Sequence, residues 1–274
     1  MIGQKKLLSK IEKLVSSSFP RFTLLVGAKG SGKKLVCREI ANKLNYPLVP
    51  IGIGVEEVRE VITNSYRNTE PIIYIIPDTD KMSLAAKNAL LKITEEPPQK
   101  AYFILTVTDL LNTLPTLKSR ACVLCMDGYD TEELREYLVD KYGEPAVSID
   151  CVDFVVNTAS VPQEIDTLMT YDIPEFKSFV ESVCSHLHTV SSANAFKMQN
   201  KLALKKDEEK WDVLLFIQAL RQQYFEFFRS GMGNEYYECY KLASKLIIEL
   251  KYKNSVNKQY CLDQFIVDVR KCWR

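Results

Sequence analysis

Gly27-Ala28-Lys29-Gly30-Ser31-Gly32-Lys33-Lys34 is the stretch that decides the fold. A loop that cradles nucleotide phosphates reads G-x-x-x-x-G-K followed by Ser or Thr. The glycines let backbone N–H groups turn inward toward phosphate oxygens, and Lys33 has the length to reach the outer phosphates. The last position is Lys34, so the hydroxyl that would hold Mg²⁺ is missing. Upstream, Phe22 to Val26 is an apolar run of β-formers ending at Gly27, which reads as a buried strand. Downstream, Val36, Ile40 and Leu44 recur at helical spacing, which predicts a helix over 33–44. Strand, glycine-rich loop and helix in that order give the motif its structural context, with the helix N-terminus adding partial positive charge.

Further strands and helices alternate along the next eighty residues. The spacing of Val55, Val58 and Ile62 predicts a helix. Ile72 to Ile76, between Pro71 and Pro77, reads as the second buried strand. Ser83 caps a helix whose face carries Ala86, Ala89, Leu90 and Ile93 and which ends at Pro97-Pro98. Tyr102 to Val107 is a third strand, a loop leads to Ser119-Arg120, and Cys122 to Met126 is a fourth strand. Such alternation implies a parallel sheet covered on both faces. After Gly128 the pattern becomes helical, first around Leu134 and Leu138, then after Pro162. From about Pro174 it carries aromatic stripes: Trp211, Leu214, Leu215, Leu220, Tyr224 and Phe227, then Leu262, Phe265, Ile266, Val269 and Trp273. Lys205 to Lys210 is mixed in sign and reads as a solvated helix face.

Composition excludes little but consistently. Of 274 residues, 46% are hydrophobic and 26% charged, which argues against large-scale disorder. The net charge of +1 gives no global signature of a nucleic-acid binder. The N-terminus reads as an amphipathic helix (Leu7, Leu8, Ile11, Leu14, Val15), not as an apolar leader, and no apolar run has membrane-spanning length. Eight cysteines scattered singly are expected as free thiols in a reducing, cytoplasmic compartment. Cys122 and Cys125 have C-x-x-C spacing, but no second pair follows at zinc-site spacing, so they are expected as buried strand cysteines and no metal site is expected. His186 and His188, two apart, do not share a helix face and are expected in solvated or capping roles.

Several motifs occur in a fixed order: Ile2-Gly3-Gln4, the phosphate loop, Asn88-Ala-Leu-Leu-Lys92-Ile-Thr-Glu95-Glu96-Pro97-Pro98, and Thr116-Leu-Lys-Ser119-Arg120. The set resembles the AAA+ subunits of bacterial DNA polymerase III clamp loaders, and among them the δ′ (delta-prime) type. The likeness is clear over residues 1–170 and looser beyond. It implies an α/β AAA+ core with a parallel sheet of P-loop NTPase type over residues 1–127. A small helical lid domain over 128–173 and an all-helical collar over 174–274, through which such subunits assemble into a ring, would follow.

The departures from the family pattern bear on function. In hydrolysing members the second strand ends in Asp-Glu, the first holding Mg²⁺ and the second polarising the attacking water. Counted back from Asn88, those positions are Pro77 and Asp78. A register one residue later makes Asp78 the metal-side residue and Thr79 the replacement for Glu. Either register lacks the glutamate, and an aspartate is one methylene short of hydrogen-bond reach. A cation at Lys34 repels Mg²⁺. The family's zinc module is absent, as in δ′ variants, and Gln163 stands where active members carry an arginine near the γ-phosphate. Ser119-Arg120 survives from a Ser-Arg-Cys motif, with Ala121 in place of Cys. In the family that arginine enters the ATP site of the neighbouring subunit, where a guanidinium stabilises charge on the transferred phosphoryl. The alternative for Arg120 is a structural pair with a local carboxylate.

The resemblance therefore implies a subunit without intrinsic ATPase. It would belong to a ring with tau/gamma and delta type subunits that loads a sliding clamp on primer-template DNA, with Arg120 acting in trans and Ser119 beside it. Gly27, Gly30, Gly32, Lys33 and Lys34 are the phosphate-loop residues of a degenerate site, and no cofactor is required. Weak ATP or ADP binding without Mg²⁺ and a loop filled by Lys29 and Lys34 are both compatible with the residues. Two other readings are a working ATPase that uses Asp78 and an independent nucleotide-sensing or DNA-binding module.

Overall fold

A computed structural model describes residues 2–143, 149–204, 210–252 and 257–273. The chain forms two compact units, Met1–Tyr129 and Asp130–Arg274.

The first unit alternates helices and strands: α1 (Lys5–Ser17), β1 (Phe22–Val26), α2 (Lys33–Leu44), β2 (Leu48–Pro50), α3 (Val55–Ser65), β3 (Ile72–Ile76), α4 (Leu84–Glu95), β4 (Ala101–Val107), α5 (Pro115–Arg120) and β5 (Cys122–Cys125). All five strands are parallel, in the order β2-β3-β4-β1-β5. Successive strand residues face opposite sides, so each strand serves two cores. On one side Leu24, Tyr74, Ile76, Phe103 and Leu105 pack with Val58, Ile62, Leu90, Ile93 and Leu117 from α3, α4 and α5. On the other, Leu25, Ile73, Ile75, Ile104 and Leu124 pack with Leu7, Ile11, Val36, Cys37 and Ile40 from α1 and α2. Burial on both faces is why these strands read as unbroken apolar runs.

Local chemistry sets the boundaries. Ser83 caps α4 by accepting from the Ala86 N–H, and Pro97-Pro98 follows the helix end. Gly3 and Gln4 adopt positive φ before α1. The buried Gln4 amide then donates to the Asp127 carbonyl (2.8 Å) and accepts from the Asp127 N–H (2.9 Å), tying the N-terminus to the end of β5.

The structure corrects the sequence reading in four places of this unit. β2 is a strand of three residues, two of them exposed, too short to leave an apolar run. Ile72–Ile76 is thus the third strand in chain order. The segment expected as a loop before Ser119 contains helix α5, started by Pro115 at its first turn. Of the C-x-x-C pair, Cys125 is exposed and Cys122 only half-buried, because β5 is an edge strand.

The second unit holds α6 (Thr131–Tyr142), α7 (Ile149–Thr158), α8 (Pro162–Leu168), α9 (Ile173–His186), α10 (Ser192–Lys197), α11 (Val213–Arg229), α12 (Asn234–Tyr252) and α13 (Lys258–Lys271). It is not purely helical, since Leu202–Ala203 (β6) and Trp211–Asp212 (β7) pair in parallel. α11 is buried on all sides over Leu215–Leu220 and packs on α7, α9 and α12. The position expected to divide lid from collar falls at the start of α9, inside this unit.

The aromatic stripes are core: Tyr224, Leu262, Phe265, Ile266 and Val269 are buried. His186 is exposed at the end of α9, whereas His188 is half-buried and stacked on Trp273 with ring centroids 4.2 Å apart, which corrects its solvated assignment. Burial holds the His188 imidazole below its ordinary pKa. Lys205–Glu209, expected on a solvated helix face, lie outside the described residues. No described helix is long and apolar enough to cross a membrane, and no described cluster of His, Cys, Asp or Glu has metal-site geometry.

Candidate functional site

The glycine-rich loop leaves β1 at the C-terminal edge of the sheet and enters α2 at Lys33. Gly30 and Gly32 take positive φ (80° and 91°), conformations that a β-carbon penalises. A Cβ at Gly27 would stand 2.9 Å from Ser31 Oγ and 3.0 Å from Met126 Sδ, so the glycine permits a close approach of loop and β5.

Lys33 turns its ammonium onto the loop itself. Its Nζ donates to the Gly27 carbonyl at 2.7 Å and to the Ala28 carbonyl at 2.9 Å. Burial lowers its pKa from the ordinary lysine value, against the opposing charges of Asp78 and Asp80. Lys34 is exposed on the first turn of α2.

β4 lies between β1 and β3, so the loop after β3 opens on the same edge as the phosphate loop. Pro77 follows β3 directly. Asp78 has a left-handed backbone (φ 50°), and its N–H donates to Thr106 Oγ1 at 3.1 Å. The Asp78 carboxylate accepts from Lys81 at 2.6 Å. That bond, joined by the charges of Lys33 and Lys34, holds Asp78 below the usual carboxylate range. Asp78 therefore belongs to the lysine cluster at this edge.

Two neighbours had no sequence signal. Asp80 accepts from the Thr108 N–H at 3.3 Å through one oxygen, and its other oxygen is buried without a partner. Tyr129, just after β5, donates its phenol to the Ser31 carbonyl at 2.7 Å, against the loop. Both depend on strand adjacency and not on any local motif.

Arg120 stands elsewhere. It ends α5, two residues before β5 begins, and Cys122 is in register with Thr23 near the start of β1. In a parallel sheet that puts it on the N-terminal edge. From Thr23 to Gly27 the chain advances four residues, roughly 13 Å at strand rise. Arg120 is therefore about one strand length from the phosphate loop of its own chain. Its guanidinium donates to the Thr116 carbonyl (3.2 Å) and pairs with Glu95 of α4 at 3.5 Å, with the side chain 41% exposed. Ser119 donates back to the same Thr116 carbonyl (3.1 Å). Gln163 is exposed on the first turn of α8 in the second unit.

Residues 51–129 match the family model described as DNA polymerase III, delta subunit. The chain is 29% identical over 170 residues to the DNA polymerase III subunit gamma of Buchnera aphidicola subsp. Schizaphis graminum, covering 50% of this chain and 47% of that protein. It is 32% identical over 162 residues to the DNA polymerase III subunit delta′ of Buchnera aphidicola subsp. Baizongia pistaciae, covering 56% of this chain and 46% of that protein. Both alignments span about half the relative's length. The fold is similar to that of the Thermotoga maritima RuvB Holliday junction branch migration motor, with TM-score 0.53 and 17% identity, over 96% of this chain and 88% of that one. Its parallel sheet with flanking helices is an AAA+ core followed by helical structure. The family match and these relatives make the chain similar, over part of its length, to the delta′ and gamma subunits of DNA polymerase III.

Proposed function

We propose that the protein is a non-hydrolysing, δ′-like subunit of a replicative clamp loader. It assembles with ATPase subunits of the tau/gamma type and a delta-type subunit into a ring that places a sliding clamp on primer-template DNA. Arg120 is donated to the ATP site of the neighbour. Residues 128–173 serve as lid and residues 174–274 as collar.

The observation that carries this reading is the separation of Arg120 from the phosphate loop of its own chain. An exposed guanidinium on the opposite edge of the sheet is out of reach of a nucleotide there and free to face another subunit. The loop chemistry agrees. Residues suited to a magnesium nucleotide would offer a hydroxyl at position 34 and carboxylates at 77 and 78. This chain offers an ammonium, a proline and an aspartate paired to Lys81. The residues do not fit that cofactor, and none is required for the proposed role.

The test is a ring reconstituted with ATPase-competent subunits. The isolated chain should show no turnover. Arg120→Ala should lower DNA-stimulated hydrolysis by the ring at least tenfold, within the range arginine fingers supply, and leave assembly intact. Unchanged turnover would remove the trans role. A competing reading, hydrolysis in its own site through Asp78, draws on the proximity of Asp78 to Lys33. It requires Mg²⁺-dependent turnover by the isolated chain that Lys33→Ala abolishes.

A further inference from the structure

The geometry points to Glu95 as the positioning residue of Arg120, an inference that rests on the trans role proposed above. α4 and α5 pack side by side and end close together, which brings the last residue of each into contact. An arginine side chain has four rotatable bonds, and that of Arg120 is 41% exposed. One hydrogen bond and one ion pair restrain it. The Thr116 carbonyl, one turn back on α5, accepts from NH1 at 3.2 Å, and the Glu95 carboxylate forms an ion pair with NH2 at 3.5 Å. They come from different helices, so together they define the direction of the guanidinium plane, which neither does alone.

The remaining N–H groups stay open for an anion brought by another protein. A carboxylate and a phosphoryl oxygen are both planar-fork partners for arginine, so one guanidinium can hold the first while meeting the second. Glu95 thus lowers the orientational entropy that Arg120 loses when it meets a transferring phosphoryl group, without touching that group itself. Glu95 is 60% exposed, so its replacement leaves the packing of α4 intact.

The experiment is steady-state DNA-stimulated hydrolysis by the reconstituted ring, with ring assembly followed by gel filtration. Glu95→Ala and Glu95→Gln should each lower kcat about three- to tenfold with KM for ATP unchanged, since misorientation of a catalytic group acts on the chemical step. Glu95→Asp, which keeps the charge, should recover much of the loss. In an Arg120→Ala background Glu95→Ala should cost nothing further.

If Arg120→Ala lowers turnover and Glu95→Ala leaves kcat within twofold of the parent, the positioning role fails and the trans role stands. A rise in kcat, or a loss that persists without Arg120, overturns it as well. If Arg120→Ala itself has no effect, the reading beneath it is what has failed.

Discussion

Truncating Lys33 should behave differently here from its counterpart in a nucleotide-binding loop. In such a loop the lysine serves the phosphates, and removing it abolishes binding with little effect on stability. Here its Nζ holds the Gly27 and Ala28 carbonyls at 2.7 and 2.9 Å, closing the loop on itself. Hydrogen bonds to a charged group contribute about 1.5–3 kcal/mol each. Burial of the ammonium opposes them, as the lowered pKa records. A net loss of about 2 kcal/mol for Lys33→Ala is the expected balance, or roughly 4–8 °C in melting temperature for a chain of this size.

The pH dependence has a definite sign. The folded pKa of Lys33 lies below its unfolded value of 10.5, so the unfolded chain binds more protons between the two. The contribution of Lys33 therefore grows as pH rises through that window. The gap between parent and Lys33→Ala should widen toward alkaline pH. Thermal melts at several pH values, with amide exchange at β1 and α2 to locate the loss, are the assay. A variant that melts with the parent, combined with a parent stabilised several degrees by Mg-ATP and a variant that is not, would refute the argument.

Two further expectations follow from other parts of the molecule. Restoring the loop hydroxyl alone, Lys34→Thr, should leave the isolated chain without ATPase, because Pro77 and Asp78 still lack the metal ligand and the glutamate; a phosphate-release assay that detects turnover would contradict this. Gln218 is fully buried in the second unit, and its amide nitrogen reaches the Thr158 carbonyl, Ser160 Oγ and Glu164 Oε2 at 3.0–3.2 Å. Gln218→Leu keeps the volume but removes the donor that these three acceptors share. It should cost about 2 kcal/mol by urea titration, while the Glu164 carboxylate keeps the Ser160 N–H at 2.7 Å and its ion pair with Lys251.

Much of the first unit was legible because its signals are local. β1, α2 and β3 begin and end where apolar runs, glycines and prolines say they should, and α4 is bracketed by Ser83 and Pro97-Pro98. β2 was not legible, since three residues with two exposed carry no periodicity. The exposure of Cys125 was hidden for a related reason, because edge and interior strands of a parallel sheet look alike until the strand order is known. His188 was misread because Trp273, eighty-five positions away, stacks on it.

By itself, then, the sequence determined that a strand, a glycine-rich loop and a helix follow one another over residues 22–44, that position 34 carries no hydroxyl and positions 77 and 78 no glutamate, and that Arg120 follows Ser119. These are facts of residue identity and short-range spacing. Only the tertiary structure decided that Lys33 spends its ammonium on its own loop, that Tyr129 lies against that loop, and that Arg120 stands one strand length away beside Glu95. The order β2-β3-β4-β1-β5 is fixed by which apolar faces bury against which helices. That is a balance of long-range packing that no window of neighbouring residues contains.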